Sequence, residues 1–492
     1  MAPGSRLISL TQLKPPFDTV HAPLAYWAQT KPHAVAIDDG VTRLDFAELA
    51  RQVAVRAAAL KQSSSSAVCW VDDETHDAAD NAAPLLLNFL SIIAAGRTAA
   101  VSDPDWPPSV REQIFARVAA GVGAEIAPTI ATASTPFYIG FTSGSSGLPK
   151  GFRRNHGSWT SSFDICLKSF GAGATMLVPG RLSHSTFLFG ALLGLWSGAG
   201  IRLQSRFSPT AALETLARKG NDGAGAMIAV PSQLILMLDL AQRRALSPMP
   251  DVQLLMIGGA PWTRARTPEL QALFPQARII EFYGASETSF IAWTDSDSTL
   301  PDHVVGKPFS NVEVRIDAPE SNTPGLIYVR SPMVFKDYVT LNEQTDQPAL
   351  LRDGDWMSVR DVGHLDEQGR LHLLGRQQRM LLAQGKNLFP EEVESVLAAH
   401  PAVNAASVQG IPDAVRGVQV AVLLQLNEAV SADTLSAWCR ERLEPYKIPR
   451  RFYVCEDWPL TPSGKSDHKQ LAQLLQLLQL LDAPGIPALR PL

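Results

Sequence analysis

Cysteine is scarce in this sequence, and the few residues present lie far apart. The 492 residues include four cysteines, Cys69, Cys166, Cys439 and Cys455, and no two of them form a Cys-x-x-Cys pair. This spacing argues against the disulfide framework of a small secreted domain and against a zinc site built from paired cysteines. We therefore expect reduced thiols and a cytoplasmic protein.

An excess of basic residues and a long apolar run are also missing. Lys and Arg number 43 against 48 Asp and Glu, so the formal charge of −5 offers no positive field to attract nucleic acid. Asn88 and Arg97 interrupt the apolar window 84–101, and the window 187–196 is far shorter than the roughly 20 residues of a membrane span. Residues 1–6 lack the apolar core of a signal peptide. We expect a globular protein with no nucleic-acid partner and no membrane span.

The common nucleotide-binding loop is absent as well. A Walker-type loop needs Gly, four residues, and then Gly-Lys followed by Ser or Thr. The one Gly-Lys-Ser of the chain, at 464–466, has Pro459 where the first glycine should stand. This mismatch disfavours the P-loop kinases and GTPases.

A different candidate phosphate site occupies residues 137–151. Residues 137–141 form a short, apolar, aromatic-rich run that is typical of a buried strand. In the loop that follows, glycines would let backbone N–H groups approach an anion closely, and hydroxyls would add donors. Pro149 stiffens the exit, and Lys150 adds a mobile positive charge. A surface Ser/Gly linker is the alternative, but linkers rarely follow a buried strand. The residues expected to contact phosphate are Thr142, Ser143, Gly144, Ser145, Ser146, Gly147 and Lys150.

This loop closely resembles the phosphate-binding signature of the adenylate-forming enzymes, namely the acyl-CoA synthetases, the adenylation domains of peptide synthetases and firefly luciferase. Four further motifs follow in the family's order, and the resemblance covers the chain from about Leu44 to Lys465. Two of them are turns that end apolar strands, at 258–261 and at 283–287, where Ser286 replaces the usual threonine. The others are an aspartate in a Thr-Gly-Asp-like turn and a lysine in the sequence Pro-Ser-Gly-Lys.

The resemblance assigns a role to each of these motifs. It implies that Lys465, Ser286 and Glu287 are catalytic, with Ser286 on the α-phosphate and Glu287 also binding Mg²⁺. The adenosine would be held by Gly259, Ala260, Pro261, Tyr283, Gly284, Asp361 and Arg376, with the last two on the ribose. Val359 and Arg360 depart from the family's Thr-Gly before Asp361.

The same resemblance suggests where the carboxylic acid binds. The pocket residues it implies are His184, Phe187, Trp196 and Gly258. Amino-acid-activating relatives usually place an aspartate near this point, whereas residues 183–190 contain no acidic side chain. We therefore expect an acid that lacks an α-amino group. From the residues alone, a lone histidine beside an apolar helix is more often a packing residue than a functional one, and only the resemblance gives the pocket role of His184 equal weight.

The alternation of helical and strand patterns predicts an α/β protein. We expect a large N-terminal domain of layered α/β sheets with a β-rich subdomain at 1–376, and a small, mobile α+β domain at 377–492. The hinge would lie near Gln378, where the family usually has Asp or Lys. Asp45 and Ser158 are predicted to begin helices, residues 470–481 to form a packing helix, and the chain from Pro484 onward to be disordered.

These features predict an AMP-forming acid–thiol ligase that uses ATP and Mg²⁺ and transfers the acyl group to CoA. A close alternative acceptor is the phosphopantetheine of a separate acyl or peptidyl carrier protein. A nucleotide-binding regulatory protein that has lost catalysis is a third possibility, and a luciferase-like oxygenase is a remote fourth.

Overall fold

A computed structural model describes residues 17–63, 66–71, 82–123, 125, 130–142, 148–171, 173–320, 323–339, 350–383, 386–413, 417–461, 465–481 and 489–492. Its larger part consists of two sheets with helices packed on them, and residues after 380 form a smaller α+β unit. The expected α/β class is therefore confirmed, while the boundary between 376 and 377 stays a prediction.

The longest sheet has parallel strands in one half and antiparallel strands in the other. Its parallel strands are, in spatial order, β11 (Arg278–Ala285), β10 (Leu254–Ile257), β9 (Ala226–Ala229), β7 (Met176–Pro179), β8 (Ile201–Gln204) and β1 (Val35–Asp38), with β2 (Arg43–Asp45) antiparallel at the edge. Its antiparallel strands are β12 (Ser289–Asp295), β13 (Val304–Pro308), β20 (Leu371–Arg376), β19 (Asp361–Leu365), β15 (Gly325–Arg330), β14 (Glu313–Asp317), β18 (Trp356–Ser358) and β17 (Leu351–Asp353). The antiparallel half matches the predicted β-rich subdomain.

A second sheet carries the strands that flank the predicted phosphate loop. In spatial order it consists of β16 (Asp337–Tyr338), β6 (Lys150–Asn155), β5 (Pro136–Thr142), β4 (Thr98–Val101) and β3 (Val68–Val71). The helices of the larger part are α1 (Pro23–Thr30), α2 (Phe46–Ser63), α3 (Ala83–Ala94), α4 (Pro108–Val122), α5 (His156–Phe170), α6 (Ser185–Ser197), α7 (Pro209–Ala217), α8 (Pro231–Arg243) and α9 (Thr267–Leu273). One apolar core joins both sheets, with Phe137 of β5 and Ile228 of β9 both fully buried in it.

The smaller unit has its own sheet and core. It contains the hairpin β21 (Leu381–Ala383) and β22 (Lys386–Leu388), the strands β23 (Val403–Asp413), β24 (Gly417–Leu426), β25 (Arg451–Cys455) and β26 (Leu489–Pro491), and the helices α10 (Pro390–Ala398), α11 (Ala432–Arg440) and α12 (His468–Leu481). The prediction of a packing helix is confirmed, because Leu471 and Leu475 of α12 are buried.

Two predictions about the ends of elements are wrong. Helix α5 begins at His156 rather than at Ser158, because Asn155 is its cap and accepts a hydrogen bond from the Ser158 N–H at 2.8 Å. The chain after Pro484 is not disordered throughout, since β26 pairs antiparallel with β25 and Leu489 is buried. Asp45 does cap α2, and its Oδ1 accepts the Glu48 N–H at 2.8 Å.

The described part of the chain contains neither a membrane-spanning helix nor a disulfide. No helix there is both long enough and apolar enough to cross a bilayer. All four cysteines are free thiols.

A histidine pair, of which His156 is buried and His21 is partly buried, is expected to make the stability of the fold depend on pH. His156 is fully buried, and its Nδ1 accepts the Val20 N–H at 3.1 Å. Burial lowers the pKa of His156 well below its usual value, and burial together with nearby Lys61 lowers the pKa of His21 to about 4. The two rings lie 5.7 Å apart.

We expect the protein to lose stability as the pH falls from about 6.5 towards 4. The unfolded chain takes up these protons near pH 6.5, whereas the folded chain resists them, so each histidine contributes at most about 1.4 kcal/mol per pH unit in this window. Urea unfolding at pH 7.5 and 5.5 measures the difference, and His156→Gln should reduce it. Equal stability of the unmodified protein at both pH values would contradict this account.

Candidate functional site

The predicted catalytic lysine reaches from the smaller unit into the larger one. Gly259 follows the carboxyl end of β10 and has a φ of +85°, a conformation that favours glycine. A Cβ atom placed on Gly259 would lie 3.3 Å from the Cε and 3.7 Å from the Nζ of Lys465. The Thr461 N–H donates to the Lys465 carbonyl at 2.7 Å, which fixes the backbone of the lysine beside Thr461. The structure thus brings together two motifs that are more than 200 positions apart in the sequence.

Asp361 is the centre of the predicted ribose site. It is 5% exposed, its Oδ2 accepts the Tyr283 hydroxyl at 2.5 Å, and its Oδ1 lies 3.4 Å from the Arg376 Nε. Burial raises the pKa of Asp361 while Arg376 opposes this shift, and Asp361 in turn raises the pKa of Arg376. Tyr283, Asp361 and Arg376, which the sequence predicts to hold the adenosine, are therefore joined by one hydrogen bond and one ion pair.

At the departure before Asp361, Arg360 adopts a left-handed backbone conformation. Arg360 has a φ of +66°, which a glycine adopts without strain but which costs another residue about 1 kcal/mol or more. Its carbonyl accepts the Gln377 N–H at 2.9 Å, and its guanidinium bonds the Gln377 Oε1 at 3.0 Å. These bonds compensate the strain and tie the turn to the 3₁₀ turn Gln377–Arg379, which contains Gln378. The hinge role of Gln378 stays a prediction.

Glu287 lies beside the same group of charges. Its Oε1 accepts the Tyr338 hydroxyl at 2.7 Å, and its carbonyl accepts the Phe335 N–H at 2.7 Å. The charge of Glu287 acts on the pKa values of both Arg376 and Lys465. Glu287, Asp361, Arg376 and Lys465 therefore share one electrostatic environment.

A magnesium ion fits Glu287 only together with a phosphate ligand. No cluster of three or more His, Cys, Asp or Glu side chains that could hold a metal occurs among the described residues. One carboxylate is nevertheless a sufficient protein contribution for Mg²⁺, because this ion commonly binds through one or two carboxylates plus substrate phosphates and water. The donor set at Glu287 therefore fits a magnesium–nucleotide complex rather than a free metal site.

The lysine has an unusually low proton affinity in this cleft. Burial among the surrounding protein atoms lowers the pKa of Lys465 to about 8, and the positive charge of Arg376 lowers it further, whereas Glu287 opposes both effects.

We expect adenylation to decline above about pH 8. The ammonium form of Lys465 is needed to bind anions, so kcat/KM for ATP should fall towards tenfold per pH unit above the pKa of the free enzyme. Pyrophosphate release measured from pH 6.5 to 9.5 tests this. Lys465→Arg, which stays charged, should lack the decline even if its overall rate is lower. A flat profile for the unmodified protein up to pH 9.5 would contradict the assignment.

The phosphate loop is described only at its two ends. Thr142 ends β5 and pairs in register with Lys150, which begins β6. Lys150 is 6% exposed, so the expectation of a mobile charge is wrong: β6 is an interior strand of its sheet, and its first residue is covered. The five remaining residues of the predicted loop, Ser143, Gly144, Ser145, Ser146 and Gly147, lie outside the described residues.

The residues predicted for the acid pocket are not all in one place. A Cβ atom on Gly258 would overlap the Phe282 ring, so an aromatic wall lies directly beside the Gly258–Gly259 turn. His184 precedes α6, and its ring lies 6.3 Å from that of Phe187. Trp196, at the other end of α6, is 3% exposed and packs 5.3 Å from Phe163 within the core. The pocket role of Trp196 stays a prediction, and its burial in the core gives that prediction no support.

Two residues that contact the Glu287 turn are not among those predicted from the sequence. Tyr338 binds the carboxylate of Glu287, and Arg154 donates a hydrogen bond to the Ser286 carbonyl at 2.6 Å. A signal for Arg154 was available, because two consecutive arginines follow directly on the apolar Phe152. Nothing in the sequence around Tyr338 marked it.

Comparison with known proteins agrees with this geometry. The family described as AMP-binding enzyme matches residues 63–339, and that described as AMP-binding enzyme C-terminal domain matches residues 392–465. The chain is 40% identical over 339 residues to the uncharacterized acyl-CoA ligase YhfT of Bacillus subtilis (strain 168), which covers 67% of each chain. It is 32% identical over 336 residues to the putative long chain fatty acid-CoA ligase VraA of Staphylococcus epidermidis, covering 68% of this chain and 70% of the relative.

Solved structures show the same fold. The o-succinylbenzoate CoA synthetase of Bacillus subtilis in complex with its acyl-adenylate intermediate aligns with a TM-score of 0.76 at 24% identity, covering 92% of this chain and 98% of the synthetase. A structure of the same synthetase in complex with ATP and magnesium ion aligns with a TM-score of 0.75 at 25% identity, covering 91% and 98%. The fold is that of the adenylate-forming enzymes, with a large N-terminal and a smaller C-terminal domain. The chain belongs to the AMP-binding enzyme family.

Proposed function

We propose that this enzyme uses ATP to convert a carboxylic acid without an α-amino group into an acyl adenylate, and then transfers the acyl group to the thiol of CoA. The observation that carries the proposal is the position of Lys465 against Gly259, within the field of Glu287 and Arg376. The relatives support the acceptor, because YhfT and VraA are both named as CoA ligases.

The first step joins two anions, and this requirement explains the charges of the cleft. A carboxylate oxygen attacks the α-phosphorus of ATP, the bond to the bridging oxygen breaks, and pyrophosphate leaves with its electron pair. Groups that bind developing negative charge lower the barrier most when they are fixed in advance. Lys465 would bind the carboxylate and the α-phosphate together, and Ser286 would donate to the α-phosphate.

Arg376 and Asp361 would hold the nucleotide so that its α-phosphorus faces the acid. Asp361 would accept the two ribose hydroxyls, and its buried position strengthens such hydrogen bonds. Tyr283 and the turn with Gly259, Ala260 and Pro261 would lie against the adenine. Glu287 is the residue that would hold Mg²⁺, which when bound neutralises the charge on the pyrophosphate.

The second step needs no further activation by ATP. The CoA thiolate attacks the acyl carbon, the bond from this carbon to the phosphate oxygen breaks, and AMP leaves. Lys465 belongs to the smaller unit, so movement of that unit about Gln378 would withdraw the lysine after the first step and admit the thiol. This movement is part of the proposal.

The kind of acid follows from what surrounds the turn at Gly258. Residues 183–190 offer no carboxylate to bind an ammonium group, and Phe282 lines the wall beside Gly258. Both features favour an acid whose body is apolar near the carboxylate. The length of the acid is left to experiment.

Pyrophosphate release across a panel of acids tests this function. The panel should contain short, long, aryl and amino acids, each with and without CoA. Release with a non-amino acid, together with faster turnover when CoA is added, is the expected result. If CoA did not change the release of pyrophosphate, the acceptor would instead be the thiol of a carrier protein. Release with amino acids alone would overturn the substrate class, and protein that neither binds nor cleaves ATP would overturn the proposal as a whole.

A further inference from the structure

Arg154 is a fully buried arginine without a carboxylate partner in the described structure. It is 1% exposed, and no acidic oxygen among the described residues lies within 4.0 Å of its guanidinium. Burial lowers its pKa to about 9, although the charge of nearby Glu287 opposes this shift. A buried cation is costly unless its donors are satisfied, and three acceptors satisfy those of Arg154.

Those partners lie on three separate segments. Arg154 donates to the carbonyl of Ser286 at 2.6 Å, to the carbonyl of Met333, and to the hydroxyl of Ser158 at 3.3 Å. The first acceptor is in the turn after β11, the second precedes β16, and the third is in α5. A planar guanidinium offers five donors in a fixed arrangement, so it can fix the relative position of several acceptors at once.

Strand β6 connects these bonds to the predicted phosphate loop. Lys150 begins β6 where the loop ends, and Arg154 is four residues further along the same strand. The next strand of the sheet, β16, pairs with β6 and supplies Tyr338, whose hydroxyl binds Glu287. The paired strands β6 and β16 therefore contact the Glu287 turn at two points. Tyr338 of β16 binds the Glu287 carboxylate, and Arg154 of β6 binds the carbonyl of Ser286, the preceding residue.

We propose that Arg154 is a positioning residue that fixes the Ser286–Glu287 turn relative to the strand leaving the phosphate loop, so that the turn is set to receive a magnesium–nucleotide complex. Arg154 itself does not contact the nucleotide. The inference rests on the proposed function, since it concerns the binding of magnesium and ATP, but it does not depend on which acid is used.

Arg264 provides a matched control within the same chain. It is 2% exposed and also binds two backbone carbonyls, those of Pro301 and Val304, at 2.6 and 2.7 Å. In addition it binds both oxygens of Glu281, at 2.7 and 2.9 Å. Replacing either arginine by lysine keeps a charge but loses the fork, so both variants should lose stability, whereas the Glu287 turn is affected only by Arg154→Lys.

The test compares ATP binding with and without magnesium for the unmodified protein, Arg154→Lys and Arg264→Lys, together with the melting temperature of each. We expect Arg154→Lys to weaken binding about tenfold in the presence of magnesium and to leave magnesium-free binding unchanged, in line with the usual worth of hydrogen bonds to a charged group. Arg264→Lys should lower the melting temperature without changing the effect of magnesium. Ser158→Ala, which removes one acceptor only, should reproduce the change more weakly if Arg154→Lys does not fold.

Several results would overturn the inference. If magnesium strengthened ATP binding by Arg154→Lys as much as by the unmodified protein, Arg154 would support only the core. The same conclusion would follow if Arg264→Lys lost as much of the magnesium effect as Arg154→Lys. Unmodified protein that binds ATP but ignores magnesium would overturn the inference together with the assignment of Glu287. Failure of the unmodified protein to bind ATP would instead overturn the proposed function.

Discussion

Replacing Lys465 by alanine should lower the rate of acyl-adenylate formation by about 10²–10³-fold, the usual cost of removing one group that binds developing charge in a transition state. The transfer of the acyl group from preformed adenylate to CoA should change little, because the proposed thiol step does not use the lysine. The measurement is pyrophosphate release for the first step, and thioester formation from synthetic acyl adenylate for the second.

Lys469 offers a control for this variant. It lies four residues after Lys465 in α12 and is exposed, so Lys469→Ala removes the same charge from the smaller unit outside the cleft. Both steps should proceed at the rate of the unmodified protein in this variant. An equal loss of both steps in Lys465→Ala would mean that the lysine supports the site in general, and its assigned role in the first step would be wrong.

Asp361→Asn should raise the KM for ATP by roughly 100-fold, because two charge-assisted hydrogen bonds to the ribose would be weakened together. The variant also removes the negative partner of Arg376, which lies 3.4 Å away. The value of kcat should change less than KM, since the ribose hydroxyls take no part in the reaction.

A nucleotide without ribose hydroxyls makes this test specific. The unmodified protein should bind 2′,3′-dideoxy-ATP much more weakly than ATP, whereas Asp361→Asn should hardly distinguish the two. Asp366→Asn, at the other end of β19 and paired with Arg370 at 2.7 Å, is the matched control and should still distinguish them. If Asp361→Asn discriminated as strongly as the unmodified protein, the ribose would have to be bound elsewhere.

The sequence predicted those parts of the site that follow directly on buried strands. The turns after β10 and β11 could be located because apolar runs end there in glycine-containing segments, and strand ends collect ligands in α/β sheets. The cap of α2 could be predicted for a similar reason, since Asp45 acts on residues close to it in the sequence.

Features that depend on distant pairs could not be predicted. Arg154 meets Ser286 across 132 positions, and Tyr338 reaches Glu287 only because β16 pairs with β6. The left-handed conformation of Arg360 could not be predicted for a different reason. Arginine rarely adopts this conformation, and here contacts with Gln377 stabilise it. The failure to predict β26 has the same origin, because three residues without an apolar pattern form a strand only when a partner is present.

Strand β26 also affects how the smaller unit behaves in concentrated solution. Without it, β25 would expose a row of unpaired backbone N–H and C=O groups, and such an edge is a template for pairing with a second molecule. With it, the outermost strand carries Pro491, which cannot donate to a further strand, and the exposed Arg490, whose side chain lies 3.4 Å from Glu456. Strand β26 thus covers the edge of β25 and protects it against pairing with a second molecule.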